Sequence, residues 1–301
     1  MKEFINFNSK EISWFRCGGK ISVYCIVDNL NELQFVLEKY EKYKNNILII
    51  GAGSNSLIRD KGFDGLVIKL SGEFNDLKIK QHETENDIIL LTAGAAVFDK
   101  KVVDFAIENR LIGCEFLDTI PGTIGGAVKM NAGCFDKEIK DILFSTKLFI
   151  NGKEEVLTVK DFLSFSYRKS SIPENAIILE ATFKLKKGTQ NQLEESKNMI
   201  LEMRKKRKEN QIVGFTCGST FKNPISNDGK KISVWKLIDE VGLRGFSIGG
   251  AKFSEKHCNF LINYNNANAT DIENLILLAK QKVKDKFNIE LEEEIKIFGN
   301  M

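Results

Sequence analysis

The sequence predicts a mixed α/β or α+β fold, because strand-like and helical segments alternate through its first half and two glycine-rich loops interrupt them. The first helix follows Asn29, with Glu32 three residues later, which is the spacing of a capping box. The strand-like runs lie at 21–27, 47–50, 66–70 and 88–92, and the helical runs lie at about 30–43 and 97–109.

The second half of the chain predicts another unit with helices and strands. A charged helix is expected over about 191–210, another over 233–241, and a long one that opens at Thr270 and Glu273. The long helix carries an apolar stripe typical of a core-facing helix, made of Ile272, Leu275, Ile276, Ala279, Val283 and Phe287. The closing run, 289–298, alternates apolar and charged residues as a strand does.

Composition limits the function classes. The 301 residues leave room for two or three domains, and 44 basic against 41 acidic residues give a net charge of only +3, too little for a general nucleic-acid binder. The six cysteines form no CxxC pair and the two histidines are far apart, so neither a metal site nor a disulfide framework is expected. The sequence shows no signal peptide and no apolar run long enough for a membrane span. We therefore expect a cytoplasmic enzyme or binding protein with neither nucleic-acid nor membrane partners.

The first glycine-rich loop is GAGSNS, at 51–56, directly after the apolar run ILII. A dinucleotide fingerprint needs a third glycine and a helix immediately after the loop. Here the following LIRDKGFDG breaks helical periodicity before the next strand. We interpret the segment as strand, loop and strand, with loop N–H groups available to an anion, although an ordinary tight turn has the same pattern.

The second loop, GCEFLDTIPGTIGGAVKMNAG at 113–133, contains five glycines and few charges. Glycine lets a backbone approach a ligand closely, because no Cβ intervenes. Two such loops suit a ligand with a pyrophosphate in its middle, and tight packing of the chain is the alternative explanation.

Six ordered motifs resemble the UDP-N-acetylenolpyruvoylglucosamine reductase family, in its short form, over about 14–299. Beside the two loops they are FRCGGK (15–20), FSYRKSS (165–171), CGSTFKNP (217–224) and LEEEIKIFG (291–299). The resemblance implies a vanillyl-alcohol-oxidase-type, two-part FAD-binding domain at 1–190, with parts at about 1–75 and 76–190. It also implies a C-terminal α+β substrate domain at 191–301, whose last strand (289–298) returns a glutamate to the site.

The same resemblance implies FAD, bound without a covalent link, with NADPH as reductant and UDP-N-acetylglucosamine enolpyruvate as substrate, in peptidoglycan precursor synthesis by a monomer. The cofactor-binding residues would be Gly51, Ala52, Gly53, Ser54, Asn55, Ser56, Pro121, Gly122, Thr123, Gly125, Gly126 and Ala127.

Three residues occupy the family's catalytic positions. Arg168 would bind and polarise the enolpyruvyl carboxylate, which suits a guanidinium because it is always charged and presents a planar fork. Ser219 would donate the proton, and Glu294 would polarise the substrate jointly with Arg168. Strand alternation places Glu292 on the same face as Glu294, so the choice between them rests on the family's spacing.

Further substrate contacts are assigned to Tyr167, Asn131, Lys222 and Asn223. The basic run at 204–208 could hold the diphosphate, or could be a solvated helix end.

Two other functions are compatible with parts of the sequence. An oxidase of the same fold could tether its flavin, with Cys134 at the end of the second loop as the nearest candidate and His82 and His257 outside both loops. A nucleotide-sugar-binding regulator would not require Arg168, Ser219 and Glu294 together.

Overall fold

The computed structural model describes residues 1–80, 88–160, 163–209, 212, 214–226 and 229–300. Its helices are α1 (Leu30–Lys39), α2 (Asp99–Glu108), α3 (Ile124–Lys129), α4 (Gln190–Glu209), α5 (Val234–Glu240) and α6 (Ala269–Phe287). Its strands are β1 (Lys2–Asn8), β2 (Lys20–Val27), β3 (Ile47–Ile49), β4 (Ser56–Ile58), β5 (Phe63–Leu70), β6 (Leu77–Lys80), β7 (Ile88–Gly94), β8 (Leu111–Ile112), β9 (Gly133–Cys134), β10 (Lys137–Glu138), β11 (Leu143–Ile150), β12 (Lys153–Thr158), β13 (Phe165–Ser166), β14 (Lys169–Ser170), β15 (Ile177–Lys187), β16 (Ser247–Ile248), β17 (Ala251–Phe253), β18 (Leu261–Asn263) and β19 (Lys296–Phe298).

The chain divides into two compact units that are both discontinuous in sequence. The first unit consists of Met1–Glu3, Cys25–Ala52 and Leu66–Glu209, and the second of Phe4–Tyr24, Gly53–Gly65 and Asn210–Met301. The predicted boundaries at 75 and 190 stay predictions, because compactness does not say which ligand each part binds.

The first unit is built on an antiparallel sheet in the order β12, β11, β15, β7 and β6, with β8 also paired to β15. Strand β15 lies at its centre, and helix α3 packs on it. The buried side chains of this sheet include Leu91, Ala181 and Phe183, all with no exposed surface. Beside this sheet, β3 pairs in parallel with β5. The predicted strands at 47–50, 66–70 and 88–92 are therefore present.

The second unit packs α6 against the antiparallel sheet of β16, β17 and β18. The predicted apolar stripe of α6 forms the centre of its core, since Ile272, Leu275 and Val283 have no exposed surface. Strand β19 pairs in parallel with β4, which brings the end of the chain beside the loop at 51–56.

The predicted start of the last helix is wrong in detail. Asn268 is the N-cap and forms a capping box with Asp271, so α6 begins before the predicted Thr270 and Glu273 pair. Asp60 accepts hydrogen bonds from the N–H groups of Ala269 and Thr270, which supplies a cap from a distant segment. The sequence pattern around Thr270 could not reveal that partner. By contrast, the predicted cap of α1 is present, with Asn29 Oδ1 accepting from the Glu32 N–H at 2.9 Å.

The predicted closing strand over 289–298 is also wrong in its extent, because regular pairing with β4 covers only Lys296–Phe298. The N–H groups of Glu294 and Ile295 both point to the carbonyl oxygen of Thr220, at 2.8 and 3.5 Å. Two consecutive donors to one acceptor form a bulge, which interrupts the alternation of faces. Regular strand alternation therefore does not extend through these residues, and the predicted sharing of one face by Glu292 and Glu294 stays a prediction.

Candidate functional site

The first glycine loop joins β3 to β4 with no helix between them, as predicted. A Cβ on Gly51 would collide with Thr123 Oγ1 of the second loop, and both residues belong to the first unit. Gly53 has φ +70°, and a Cβ there would collide with Ile12 O within the second unit. Both glycines are therefore required by close packing within the protein, and their predicted contact with the cofactor stays a prediction.

Asn55, in the first loop, hydrogen-bonds to the segment that carries Glu294. Its Nδ2 donates to Glu294 O at 3.1 Å, and its carbonyl oxygen accepts from the Lys296 N–H at 2.9 Å. Ser56 O accepts from the Ser13 hydroxyl at 2.9 Å. The predicted cofactor loop is thus also the support of Glu294.

The second loop is tied by its backbone to the segment before α2. The Ile124 N–H donates to Val97 O and the Gly125 N–H to Ala95 O, each at 2.9 Å. Gly126 is exposed, and among the described residues outside its own helix backbone no atom lies within 4 Å of a Cβ built on it. Here the backbone is open to an incoming group. The open backbone at Gly126 fits a bound FAD, whereas Gly51 is packed against Thr123.

Asp99 lies behind the second loop and was not identified from the sequence. It has no exposed surface, and neither carboxyl oxygen has a hydrogen-bond partner among the described residues. Its N–H donates to Gly122 O, and a Cβ on Gly122 would lie 2.7 Å from Asp99 Oδ2. Burial raises the pKa of Asp99 well above its ordinary value, which favours the neutral acid.

Arg168 occupies the two-residue turn between β13 and β14, with φ +58°. Its guanidinium donates to Gly133 O at 2.8 Å, lies 4.9 Å from the centroid of the Tyr167 ring, and has NH1 3.7 Å from Glu138 Oε1. The side chain is 17% exposed. Arg168 and Tyr167, both predicted site residues, are therefore in mutual contact.

Asn131 supports this turn through hydrogen bonds at both the nitrogen and the oxygen of its side-chain amide. It has no exposed surface, and its Nδ2 donates to Glu138 Oε2 and to Ser166 O, each at 3.0 Å. Its Oδ1 accepts from the Lys140 N–H at 3.1 Å. The geometry supports a role in holding the turn, and its predicted substrate contact stays a prediction.

Ser219 lies in the second unit, directly after Gly218, which has φ +79°. Its neighbours are anchored by Asn259, which is 4% exposed and bonds both the N–H and the carbonyl of Phe221, at 3.0 and 2.9 Å. The Thr220 N–H donates to Asn259 O at 2.7 Å. Nothing in the sequence around Asn259 indicates this role, because the contact joins distant segments.

Glu294 is brought beside Ser219 by the backbone. Its N–H donates to Thr220 O at 2.8 Å, so the two predicted catalytic residues lie on neighbouring segments. The adjacent carboxylates have other partners: Glu292 pairs with Lys222 Nζ and Glu293 with Lys280 Nζ.

Lys222 and Asn223 differ in their surroundings. The Lys222 side chain is 12% exposed beside Glu292. Asn223 Oδ1 accepts from the Val234 N–H at 3.0 Å, at the start of α5. Their contacts with substrate stay predictions.

The basic run at 204–208 contains one clear structural contact. Arg204 donates from Nε and NH2 to the two carboxyl oxygens of Asp118, at 2.8 and 2.6 Å, and the Asp118 side chain is 1% exposed. A bidentate pair of this kind fixes α4 against the first part of the second loop. For Arg204, the structure favours packing over diphosphate binding.

Cys134 is the candidate for flavin attachment that lies at the end of the second loop. Cys134 donates to Phe116 O at 3.1 Å, and burial raises the pKa of its thiol, which disfavours the reactive thiolate. His82 lies outside the described residues.

Two family models match the chain. One is described as an FAD binding domain and matches residues 21–160, and the other is described as the C-terminal domain of UDP-N-acetylenolpyruvoylglucosamine reductase and matches 209–298. The first supports the predicted flavin cofactor, and their order supports the predicted two-domain flavoprotein class.

Named relatives match along nearly the whole length. A UDP-N-acetylenolpyruvoylglucosamine reductase of Pelagibacter ubique is 46% identical over 97% of this chain and 93% of its own. One of Rickettsia massiliae is 38% identical over 98% and 95%. The crystal structure of UDP-N-acetylenolpyruvylglucosamine reductase from Thermus caldophilus superposes with a TM-score of 0.80 at 31% identity, covering 99% of this chain and 98% of that one.

These matches confirm the predicted family, fold class and FAD cofactor. Their extent leaves no large part of the chain outside the similarity. The chain belongs to the UDP-N-acetylenolpyruvoylglucosamine reductase family.

Proposed function

We propose that the chain reduces the enolpyruvyl group of UDP-N-acetylglucosamine enolpyruvate to the lactyl ether of UDP-N-acetylmuramate, for peptidoglycan synthesis. The observation that carries the proposal is the backbone bond from the Glu294 N–H to Thr220 O, because it joins the Ser219 segment to the last segment of the chain. Simple binding of a sugar nucleotide would not need a serine and a glutamate on two segments joined in this way.

FAD, when bound, supplies a hydride that originates from NADPH. The hydride adds to the methylene carbon, and the electron pair of the double bond moves toward the carbon that bears the carboxylate. Ser219 then donates its hydroxyl proton to that carbon. Arg168 binds the carboxylate, where negative charge develops, and Glu294 polarises the same group.

A spectral titration tests this function. Purified protein should show an oxidised-flavin spectrum that NADPH bleaches and that the enolpyruvyl sugar nucleotide restores under anaerobic conditions. Protein without flavin, or bleached flavin that the substrate does not reoxidise, would contradict the proposal. Denatured protein should release its flavin, since burial raises the pKa of the nearest candidate thiol, Cys134.

A cytoplasmic location and a monomeric state complete the proposal. Cys17, Cys25, Cys114, Cys134, Cys217 and Cys258 are all free thiols, which suits a reducing compartment. Within the described residues, no helix has the length and apolar character needed to cross a bilayer. Light scattering after gel filtration measures the oligomeric state, and a mass near twice 34.1 kDa would contradict the monomer.

A further inference from the structure

The Glu138 carboxylate is the centre of a polar cluster in the first unit. Its Oε2 accepts from Asn131 Nδ2 at 3.0 Å and from Lys140 Nζ at 2.9 Å, and its Oε1 lies 3.7 Å from Arg168 NH1. The side chain is only 16% exposed. An ion pair in such a partly closed place is less screened by water than one on the open surface.

The hairpin of β9 and β10 fixes where this carboxylate lies. Glu138 pairs with Gly133, and a Cβ on Gly133 would collide with Lys137 O and the Glu138 side chain. The Glu138 N–H donates to Asp141 Oδ2 at 2.8 Å. Because Gly133 O also accepts from Arg168 NH2, one short hairpin holds the guanidinium at two of its nitrogens.

The Asn131 amide links the same carboxylate to the backbone of the arginine turn. Its Nδ2 bridges Glu138 Oε2 and Ser166 O, the residue that opens the turn. Arg168 has φ +58°, a left-handed conformation that a residue with a long side chain adopts at some cost. The surrounding contacts must therefore offset that cost, and Glu138 contributes through its ion pair with Arg168 and its hydrogen bond from Asn131.

Arg168 keeps donors for a second anion although Glu138 faces it. Arg168 and Lys140 lie near the carboxylate of Glu138, and Asp141 accepts from the Glu138 N–H, so the charges of this cluster balance. A guanidinium stays ionised in proteins and offers five N–H donors, so the Glu138 contact at one nitrogen orients the group without using all of its donors.

We infer that Glu138 is a positioning residue that holds the Arg168 guanidinium in the plane and direction needed to receive the substrate carboxylate, with Asn131 as the link to the turn. The inference rests on the proposed role of Arg168. Glu138 itself acts through the arginine and is not assigned a contact with substrate.

The test compares Glu138→Gln with the unchanged holoenzyme. Glutamine keeps the size of the side chain and an oxygen for the Asn131 amide, but removes the charge that faces Arg168. Substrate-driven reoxidation of the flavin should slow by about tenfold or more, because misorientation of a catalytic group by a fraction of an ångström is costly. The rate of flavin reduction by NADPH and the flavin content should not change. Equal loss in both half-reactions, or no loss in either, would overturn the inference.

A matched control and a double-variant cycle identify the route of the effect. Glu174→Gln removes a 96% exposed carboxylate that pairs with Lys129 in the same unit, and it should change neither half-reaction. In an Arg168→Lys background, Glu138→Gln should cause no further loss, because the residue to be positioned has been replaced. If the losses in activation free energy from the two substitutions were additive, Glu138 would act by a route that does not involve Arg168.

A spectroscopic measurement separates this inference from the function. The Nε–H resonance of Arg168, assigned by its disappearance in Arg168→Lys, should exchange faster with water in Glu138→Gln than in the unchanged protein. If the unchanged protein failed to turn over the substrate, the proposed function would fail while this resonance still reported on Glu138. Unchanged exchange in Glu138→Gln would overturn the positioning role whatever the activity.

Discussion

The two units hold their proposed catalytic residues by different means. In the first unit, Arg168 is fixed through its side chain, by Gly133 O, the Tyr167 ring and the Glu138 carboxylate. In the second unit, Ser219 and Glu294 lie on segments joined by backbone bonds through Thr220. A backbone bond survives a change of side chain, whereas a polar network does not. Substitutions in the second unit should therefore remove chemistry with little loss of geometry.

The largest effect is expected for Ser219→Ala. Removal of the proton donor should slow substrate-driven flavin reoxidation by about 10²–10⁴-fold, the range of general acid catalysis. Reduction of the flavin by NADPH and thermal stability should remain as in the unchanged protein, because the backbone bonds of Thr220 remain. Stopped-flow absorbance of each half-reaction checks this. Equal slowing of both would contradict the role of Ser219 as donor.

A smaller effect is expected for Glu294→Gln, with Glu292→Gln as its matched control. The first change should slow the substrate half-reaction by about 10²-fold, the size typical of one lost stabilising group. The control removes a carboxylate that is 72% exposed and pairs with Lys222, so its effect should be much weaker. The same stopped-flow assay ranks the two variants. The reverse order would show that the family's spacing had been assigned to the wrong glutamate.

The smallest effect, and one confined to the first unit, is expected for Asp99→Asn. Burial raises the folded-state pKa of Asp99 above its unfolded value near 3.9, so the folded protein retains a proton that the unfolded chain loses as pH rises. Between about pH 4 and the folded-state pKa, this difference in bound protons lowers the free energy of unfolding as pH rises, by at most about 1.4 kcal/mol per pH unit.

The Asp99→Asn variant should therefore gain stability relative to the unchanged protein as pH rises from 5 to 7. Urea denaturation at each pH measures the difference. Asp104→Asn, on the same helix with a 48% exposed side chain, is the control. A difference that does not change with pH would contradict the buried neutral acid. In the second unit, the buried atoms without partners among the described residues are hydroxyls, such as Thr220 Oγ1, which do not titrate in this range.

The features that could be predicted from the sequence are those determined by local residue patterns or by family motifs. The cap of α1 at Asn29, the apolar stripe of α6 and the strand, loop and strand around GAGSNS are each determined within a few residues, and all are present. The family motifs placed Arg168, Ser219 and Glu294 on segments that the structure holds firmly, and their catalytic roles stay predictions.

Features set by distant partners could not be predicted in the same way. The bulge at Glu294 exists because Thr220 accepts two bonds, and α6 begins early because Asp60 caps it. Glu138 stands in a charged hairpin whose sequence does not reveal that Asn131 and Arg168 converge on it. A charged residue shortly after a glycine-rich loop was the one available signal, and alone it is weak.

The second unit has a consequence for synthesis, because its core is assembled from both ends of the chain. Phe15 and Leu57 pack in the same cluster as Leu291 and Ile295. During translation Phe15 and Leu57 emerge long before Leu291 and Ile295, so their apolar surfaces lack these native partners until the later segment has been synthesised. Contacts of such high sequence separation also slow folding, because the loop must close before they form. Synthesis of the segment around Leu291 and Ile295, rather than emergence of the first residues, therefore determines when this unit can acquire its core.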